Sequence, residues 1–600
     1  MARDPAEGDA YVFDLVGGDA PPDAAPAGHG PPDDGPGGRS PGGDTSGGGP
    51  SGGDTSDGRA GSDVPGRAVR PGPPGEDDVD VLGAGTSPDL TGRNRRLAAQ
   101  VAAVLAILLG TGLAVDGARD HARMERMRDM PGGVADLSAP LTEAWAWSGT
   151  VGPDEGTTDV AVLGDVLAVE SDEGLVALEP ASGEVAWTVP LRADADCGPM
   201  VPPTWTDPAT PALVCLQGTG ADREVVAVGP DGATSASRPL DAPDARRYGL
   251  PHTGPDGTVL RARRVGPPSA LDLGDARCTA TGECSGTVAA GRDLVLRAED
   301  AATGAERWSV TVPFRAADAT QCTRRFGGSW GSSETRLVIS GQLAPDTFGA
   351  RVTAGLVELS GCGVQAAVTP RGTLLGDHVE PGRGGVERLG DGYAVTVYDG
   401  VPRATLYAAD GAVAGEITGY PLAAQASDEA GPATVLGVDE PGRRLRAYDA
   451  DGTPRWDVVL QSGGQQFLAQ VGGTAVVSTG AGSVRGLDLA TGEERWVWDG
   501  STGSAPRDEG GYFGTAYVLQ AFTDGETLLL LTEDDSGGTH GLVALDAGSG
   551  AVLWERAGGA AVTTFDPAAG GLGEHGVVGG LVAVDGILLE VTPRGVRGFQ

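Results

Sequence analysis

Residues 483–499 read SVRGLDLATGEERWVWD. A strand-like run over 484–489 meets a turn at Ala490, Thr491 and Gly492, and a second run carries Trp496. Apolar alternation on both sides of a glycine-containing turn predicts a β-hairpin. The pattern returns at residues 175–187 (LVALEPASGEVAW), 294–308 (LVLRAEDAATGAERW), 445–456 (LRAYDADGTPRW) and 542–554 (LVALDAGSGAVLW). A period of roughly 40–60 residues marks an array, and four-stranded propeller blades fall near the short end of that range. Trp187, Trp308, Trp456, Trp496 and Trp554 are expected to be structural. A large ring wedged between adjacent blades buries apolar area at about 25 cal/mol per Å2.

These hairpins resemble the A-x-D-x-x-T-G-x-x-x-W repeats of the PQQ-binding-like β-propeller family (PQQ is pyrroloquinoline quinone). That family includes quinoprotein alcohol dehydrogenases and the propeller lipoprotein of the outer-membrane assembly machine. The resemblance covers residues 143–600 and implies an all-β propeller, commonly of eight blades. WD40 propellers are the rival fold, but no matching Gly-His…Trp-Asp repeat is present.

Hairpin-bearing segments start near Val162, Ala212, Thr258, Thr335, Tyr393, Ala433, Thr474 and Glu526. Residues 143–147 (EAWAW) lack an upstream hairpin, and 587–599 lack a following Trp strand. The two ends are therefore expected to complete one blade together, which closes the ring without an unpaired edge. Eight blades are expected, within a range of seven to nine.

Upstream of the propeller the composition changes. Residues 1–92 hold 17 acidic and 5 basic residues and are rich in Gly and Pro. Such a chain buries too little apolar surface to offset its ordering entropy, so a disordered cytoplasmic tail is expected. One island, Tyr11, Val12, Phe13, Leu15 and Val16, is a possible docking motif for a cytoplasmic partner. Residues 97–115 (LAAQVAAVLAILLGTGLAV) are 19 residues without a charge. That is close to the length of a transmembrane helix, and it starts too far along the chain for a signal peptide. The expected organisation is a tail over 1–92, a single span within 93–116, a juxtamembrane linker over 117–142 and an extracytoplasmic propeller over 143–600.

Orientation rests on cysteine. Cys197, Cys215, Cys278, Cys284, Cys322 and Cys362 all follow the apolar run and none precedes it. An even number confined to one side points to disulfides in an oxidising compartment. This places the N-terminus in the cytoplasm. Sequential pairing is the simplest of the connectivities, and Cys278–Cys284 would clamp an insertion over residues 267–290.

The net charge of -40 argues against nucleic acid, which requires phosphate neutralisation. There is no Lys, and Asn94 is the one Asn, a bias of the GC-rich, actinobacterial kind. No CxxC occurs and no His lies near a Cys at ligand spacing, so no metal site is expected. His252, His378, His540 and His575 read as loop histidines. The acidic stretch at Asp449, Ala450, Asp451 and Gly452 reads as a hairpin turn, since Asp-Gly suits such turns. The dehydrogenases of the resembling family hold PQQ beneath a disulfide between adjacent cysteines and bind calcium through side chains that include an Asn. This chain has no adjacent Cys pair. No catalytic residue and no PQQ or calcium cofactor is therefore expected. The leading expectation is a membrane-anchored scaffold for an extracytoplasmic protein or ligand. A transmembrane ligand sensor and, less favoured, a PQQ-dependent dehydrogenase are the alternatives.

Overall fold

The computed structural model describes residues 119–600 apart from 152–158, 172, 193, 202–208, 219–222, 280–282, 324–342, 347, 377–384, 430–433, 441, 461–463, 480–482, 501–516, 534–539 and 561–579. All of these described residues belong to the compact unit Leu109–Gln600. The acidic tail, the island from Tyr11 to Val16 and the apolar run over 97–115 lie outside them. Among the described residues no helix is long and apolar enough to cross a membrane.

The described chain forms nine sheets of four or five strands, in addition to two small strand pairs. Blade 1 runs through Val160–Leu163, Val166–Ser171, Gly174–Leu178 and Val185–Val189, each antiparallel to the next. Blades 2 to 8 occupy residues 196–239, 250–312, 348–375, 386–418, 420–459, 464–498 and 517–560. Blade 7 gains a fifth, parallel strand, Ala424–Ser427, beside Gly464–Val471. Blade 9 joins the two ends of the ring. Gly580–Val584, Ile587–Thr592 and Gly595–Phe599 are completed by Glu143–Trp147, with Trp147 opposite Val596. The expected closure by terminal strands is present.

The number of blades corrects the expectation of eight. The segments read from the chain, plus the closing one, correspond to nine separate sheets, with the starts near Thr335 and Ala433 lying outside the described residues and the fourth sheet beginning at Phe348. Segments without the Trp are complete blades because other residues fill its place, as described below.

Middle strands are apolar on both faces, because each blade is sandwiched between two others. Thr474–Thr479 is buried throughout, and Leu528 to Leu531 are wholly inaccessible. The apolar side chains gather into nine clusters, each lying between successive blades. Consecutive antiparallel strands also fix two faces of the ring. Turns between first and second strands, and between third and fourth, leave on one face (the turn face). Connections between second and third strands leave on the other (the loop face).

Residues 119–142, expected to be a linker, differ from that reading. A helix over 119–128 leads into an extended strap that is packed on the turn face of blades 7 to 9. Met127, Val134, Leu137 and Leu141 are buried. Three of these apolar groups join the cluster between blades 8 and 9, which holds the strap in place.

Candidate functional sites

The repeat motif builds a ring of inter-blade staples. Trp187 Nε1 donates to the Pro230 carbonyl at 2.8 Å, from blade 1 to the last turn of blade 2. Trp308 does the same to Pro370 at 2.8 Å, Trp456 to Leu489 at 2.9 Å and Trp496 to Ala547 at 3.0 Å. Trp145, on the closing strand, donates to Pro180 of blade 1 at 2.9 Å. The motif glycine serves the preceding blade as well as its own turn. A Cβ added at Gly183, Gly232, Gly372, Gly492 or Gly550 would come within 2.2 to 2.7 Å of the ring stacked on it.

Blades without this Trp use substitutes. Arg238 Nε of blade 2 donates to the Ala301 carbonyl of blade 3 at 3.0 Å, and its Nη2 reaches Glu299 at 3.1 Å. Thr373 Oγ1 of blade 4 donates to the Asp410 carbonyl of blade 5 at 3.2 Å. In blade 5 the Trp position is Gly415, opposite Leu406, and the turn of blade 6 closes directly on its backbone at Asp451. Blade 8 faces a closing blade whose last turn is interrupted by the two ends of the ring. There Trp554 Nε1 donates to the Leu137 carbonyl of the strap at 2.8 Å. The strap thus stands in for the missing turn.

The motif acid sets the turn. Asp488 Oδ1 accepts from the Ala490 and Thr491 amides, both at 2.9 Å. Arg495, hydrogen-bonded to the same carboxyl, is the main cause holding it below the usual carboxylate range. Asp300 with Thr303, and Asp546 with Ser549, repeat the arrangement. Asp451 accepts from the Thr453 amide at 2.9 Å, so the acidic stretch at 449–452 is a hairpin turn.

The six cysteines form three disulfides, Cys197–Cys215, Cys278–Cys284 and Cys322–Cys362. The first bridges two paired strands of blade 2. The other two brace an annex on the loop face. There the insertion of blade 3 pairs Thr287–Val288 with Ala317–Asp318 from the connection to blade 4. Val288, Ala317, Cys322 and Cys362 form its small core, with Ala276, Phe314 and Leu343 against it. Arg264 fastens the annex to the blade, donating to the carbonyls of Arg292 at 2.9 Å and Cys362 at 2.8 Å. Burial pushes its guanidinium down to about 10.

Ionisable groups collect on the first and second strands of neighbouring blades. His252 lies on Leu250–Gly254, an inner strand, which corrects its reading as a loop histidine. Burial, then Arg223, pushes it down to about 2, so it is neutral. Burial raises the Asp196 carboxyl on the adjacent blade, partly offset by Arg223. Arg351 and Glu358 of blade 4 lie 3.8 Å apart. Glu387 of blade 5 is raised by burial and then by Glu358. Asp159, entering blade 1, is raised by burial to about 6. No periodicity marks these residues in the sequence, because they are drawn from several repeats at unrelated positions. Among the described residues no group of three or more His, Cys, Asp or Glu is placed to hold a metal ion. His378 and His575 lie outside the described residues, and His540 begins a strand of blade 8.

The strap is tied at both ends. Ser427 N donates to the Pro131 carbonyl at 3.0 Å, Val134 N to Thr523 at 2.8 Å and Ala135 N to Gly586 at 2.7 Å. The buried Asp524 carboxylate accepts from Leu137 N at 2.9 Å and also from the Glu526 and Thr527 amides. Arg123 pairs with Glu526, and Arg128 with Asp585 at 3.8 Å.

Residues 369–572 match the sequence profile of the family described as outer membrane protein assembly factor BamB. No curated protein matches the chain. Among solved structures it is similar to BamB from Moraxella catarrhalis, at 13% identity over 77% of this chain and 99% of that one, with a TM-score of 0.33. It is also similar to the quinohemoprotein alcohol dehydrogenase from Comamonas testosteroni, at 12% identity over 80% of this chain and 82% of that one, with a TM-score of 0.32. Residues 369–572 of this nine-bladed ring therefore carry the PQQ-like repeat of the BamB family.

Proposed function

We propose that this chain is a non-catalytic, single-pass membrane protein presenting its propeller outside the cytoplasm. The ring is a binding scaffold for an envelope protein, polymer or small ligand, with a role in cell-envelope assembly. The observation that carries this reading is the use of cysteine. All six follow the uncharged run at 97–115 and are joined in three bonds that brace strands and loops of the ring. Such bonds persist in oxidising compartments. None joins adjacent cysteines, the arrangement expected above a bound quinone.

The test is a titration of the full-length protein with PQQ and calcium, following quinone absorbance and dye reduction with alcohols or sugars. The expected result is no saturable change. Binding with turnover overturns the scaffold reading in favour of a tethered dehydrogenase.

The strap supports a second reading, a transmembrane sensor, because the chain enters blades 7 to 9 without a free spacer after residue 119. A single span transmits through oligomerisation, so crosslinking that finds only monomers with and without envelope extract removes it.

A further inference from the structure

We propose that the turn face lies against the bilayer and that the disulfide-bonded annex points away from it. This orientation rests on the membrane-tethered reading above. The occupant of the turn face is a lipid surface, and the annex face is left open to other envelope components.

The argument is one of chain length and topology. The helix over 119–128 and the strap are seated on the turns 523–527 and 585–586, which connect first and second strands of blades 8 and 9. Both turns leave on the turn face. The annex arises from the second-to-third connection of blade 3, the connection from blade 3 to blade 4, and the corresponding loop of blade 4 at Cys362. All three leave on the loop face.

The uncharged run ends at Val115, four positions before residue 119, where the described helix begins. An extended chain from 115 to 119 reaches at most about 14 Å. The seven-residue strand Thr527–Glu533 alone rises about 20 Å between the two faces. The connection is therefore too short to leave the turn face, round the rim and enter a bilayer on the annex side. The anchor is also firm. Met127 is 1% exposed. Gly133 follows so closely that an added Cβ would lie 1.9 Å from the Met127 carbonyl oxygen. Arg123 and Arg128 pair with acids on the two turns beneath the helix.

The test uses the full-length chain in lipid vesicles carrying a nitroxide quencher on the headgroup. Fluorophores are placed at Ala490→Cys, an exposed turn-face position on blade 7, or at Leu273→Cys, 40% exposed on the annex. Co-flotation with the vesicles is measured first. The expected result is co-flotation with several-fold stronger quenching at residue 490 than at residue 273. A protein that does not float overturns the membrane reading together with this inference. A protein that floats but shows equal or reversed quenching overturns the orientation alone. Met127→Asp with Leu137→Ala loosens the seat, and the quenching ratio should then fall towards one while flotation persists. An unchanged ratio would show that the strap does not set the orientation.

Discussion

Replacing Gly550 by alanine tests whether the motif glycine serves the neighbouring blade. Gly550 has φ +69°, and a side chain in the left-handed region costs about 1–2 kcal/mol. The added Cβ would also lie 2.5 Å from Cε3 and 2.6 Å from Cδ2 of Trp496. That ring is 7% exposed and is held by its bond to Ala547. It has little room to yield, and forcing an extra methyl into a packed core costs about 1–3 kcal/mol. The single substitution should therefore cost about 2–5 kcal/mol. Trp496→Ala alone should cost about 3–5 kcal/mol. In the double variant the clash is gone and only the backbone cost at residue 550 remains. The two effects should fall short of additive by about 1–3 kcal/mol. Native-state hydrogen exchange of the amides in Val484–Asp488 and His540–Asp546 reads the opening free energy on both sides of the staple. Additivity to within about 0.5 kcal/mol would refute the contact as the reason for the glycine.

Other expectations follow from the same geometry. Trp554→Phe removes the donor to Leu137 but keeps most of the ring, and should destabilise by about 2 kcal/mol by leaving a buried carbonyl unpaired; denaturation of the oxidised protein checks it. The Cys322–Cys362 bond closes a separation of 40 residues and Cys278–Cys284 one of 6. Paired Cys→Ala variants should lose about 4 and about 2 kcal/mol on chain-entropy grounds, and equal losses in chemical denaturation would contradict that ranking. The Asp159 carboxyl titrates near 6 in the fold against 3.8 when free. As pH rises, the unfolded chain ionises first, so the fold is progressively penalised between about 4 and about 6. Asp159→Asn should stabilise above pH 6 and be neutral below pH 4, measured by melting across that range.

The blades were legible where one repeat contains its own signal. The alternation on either side of Ala490, Thr491 and Gly492, the Asp-Gly turn at 451–452 and the paired ends at 143–147 and 587–599 all act within one hairpin or one sheet. What failed was information held between repeats. Arg238, Thr373 and Gly415 fill a Trp's place by meeting a turn of the next blade, so neither their residue type nor their spacing announces it. Counting separate segments indicated nine sheets, whereas the resemblance implied eight. The strap was illegible for a similar reason. Val134, Leu137 and Leu141 stand at the three- and four-residue spacing of a helix face, yet the chain there is extended and all three enter the cluster between blades 8 and 9. Asp196 and His252, both beside Arg223, and Glu358 with Glu387 come from adjacent blades and come near one another only when those blades pack.

The strap also dictates an order of events during synthesis. The Trp554–Leu137 hydrogen bond joins residues 417 apart, and Thr142 meets Gln600 across 458. Long-range strand pairing is slow, and unpaired edges are exposed to aggregation until it occurs. Every blade up to the eighth can emerge while Glu143–Trp147 still waits, with Trp145 unable to stack within a complete sheet. Closure waits until Gly595–Phe599 has been made. A chain halted anywhere before Gly595–Phe599 leaves Glu143–Trp147 without its partner strand, so the ring stays open until that strand has been made.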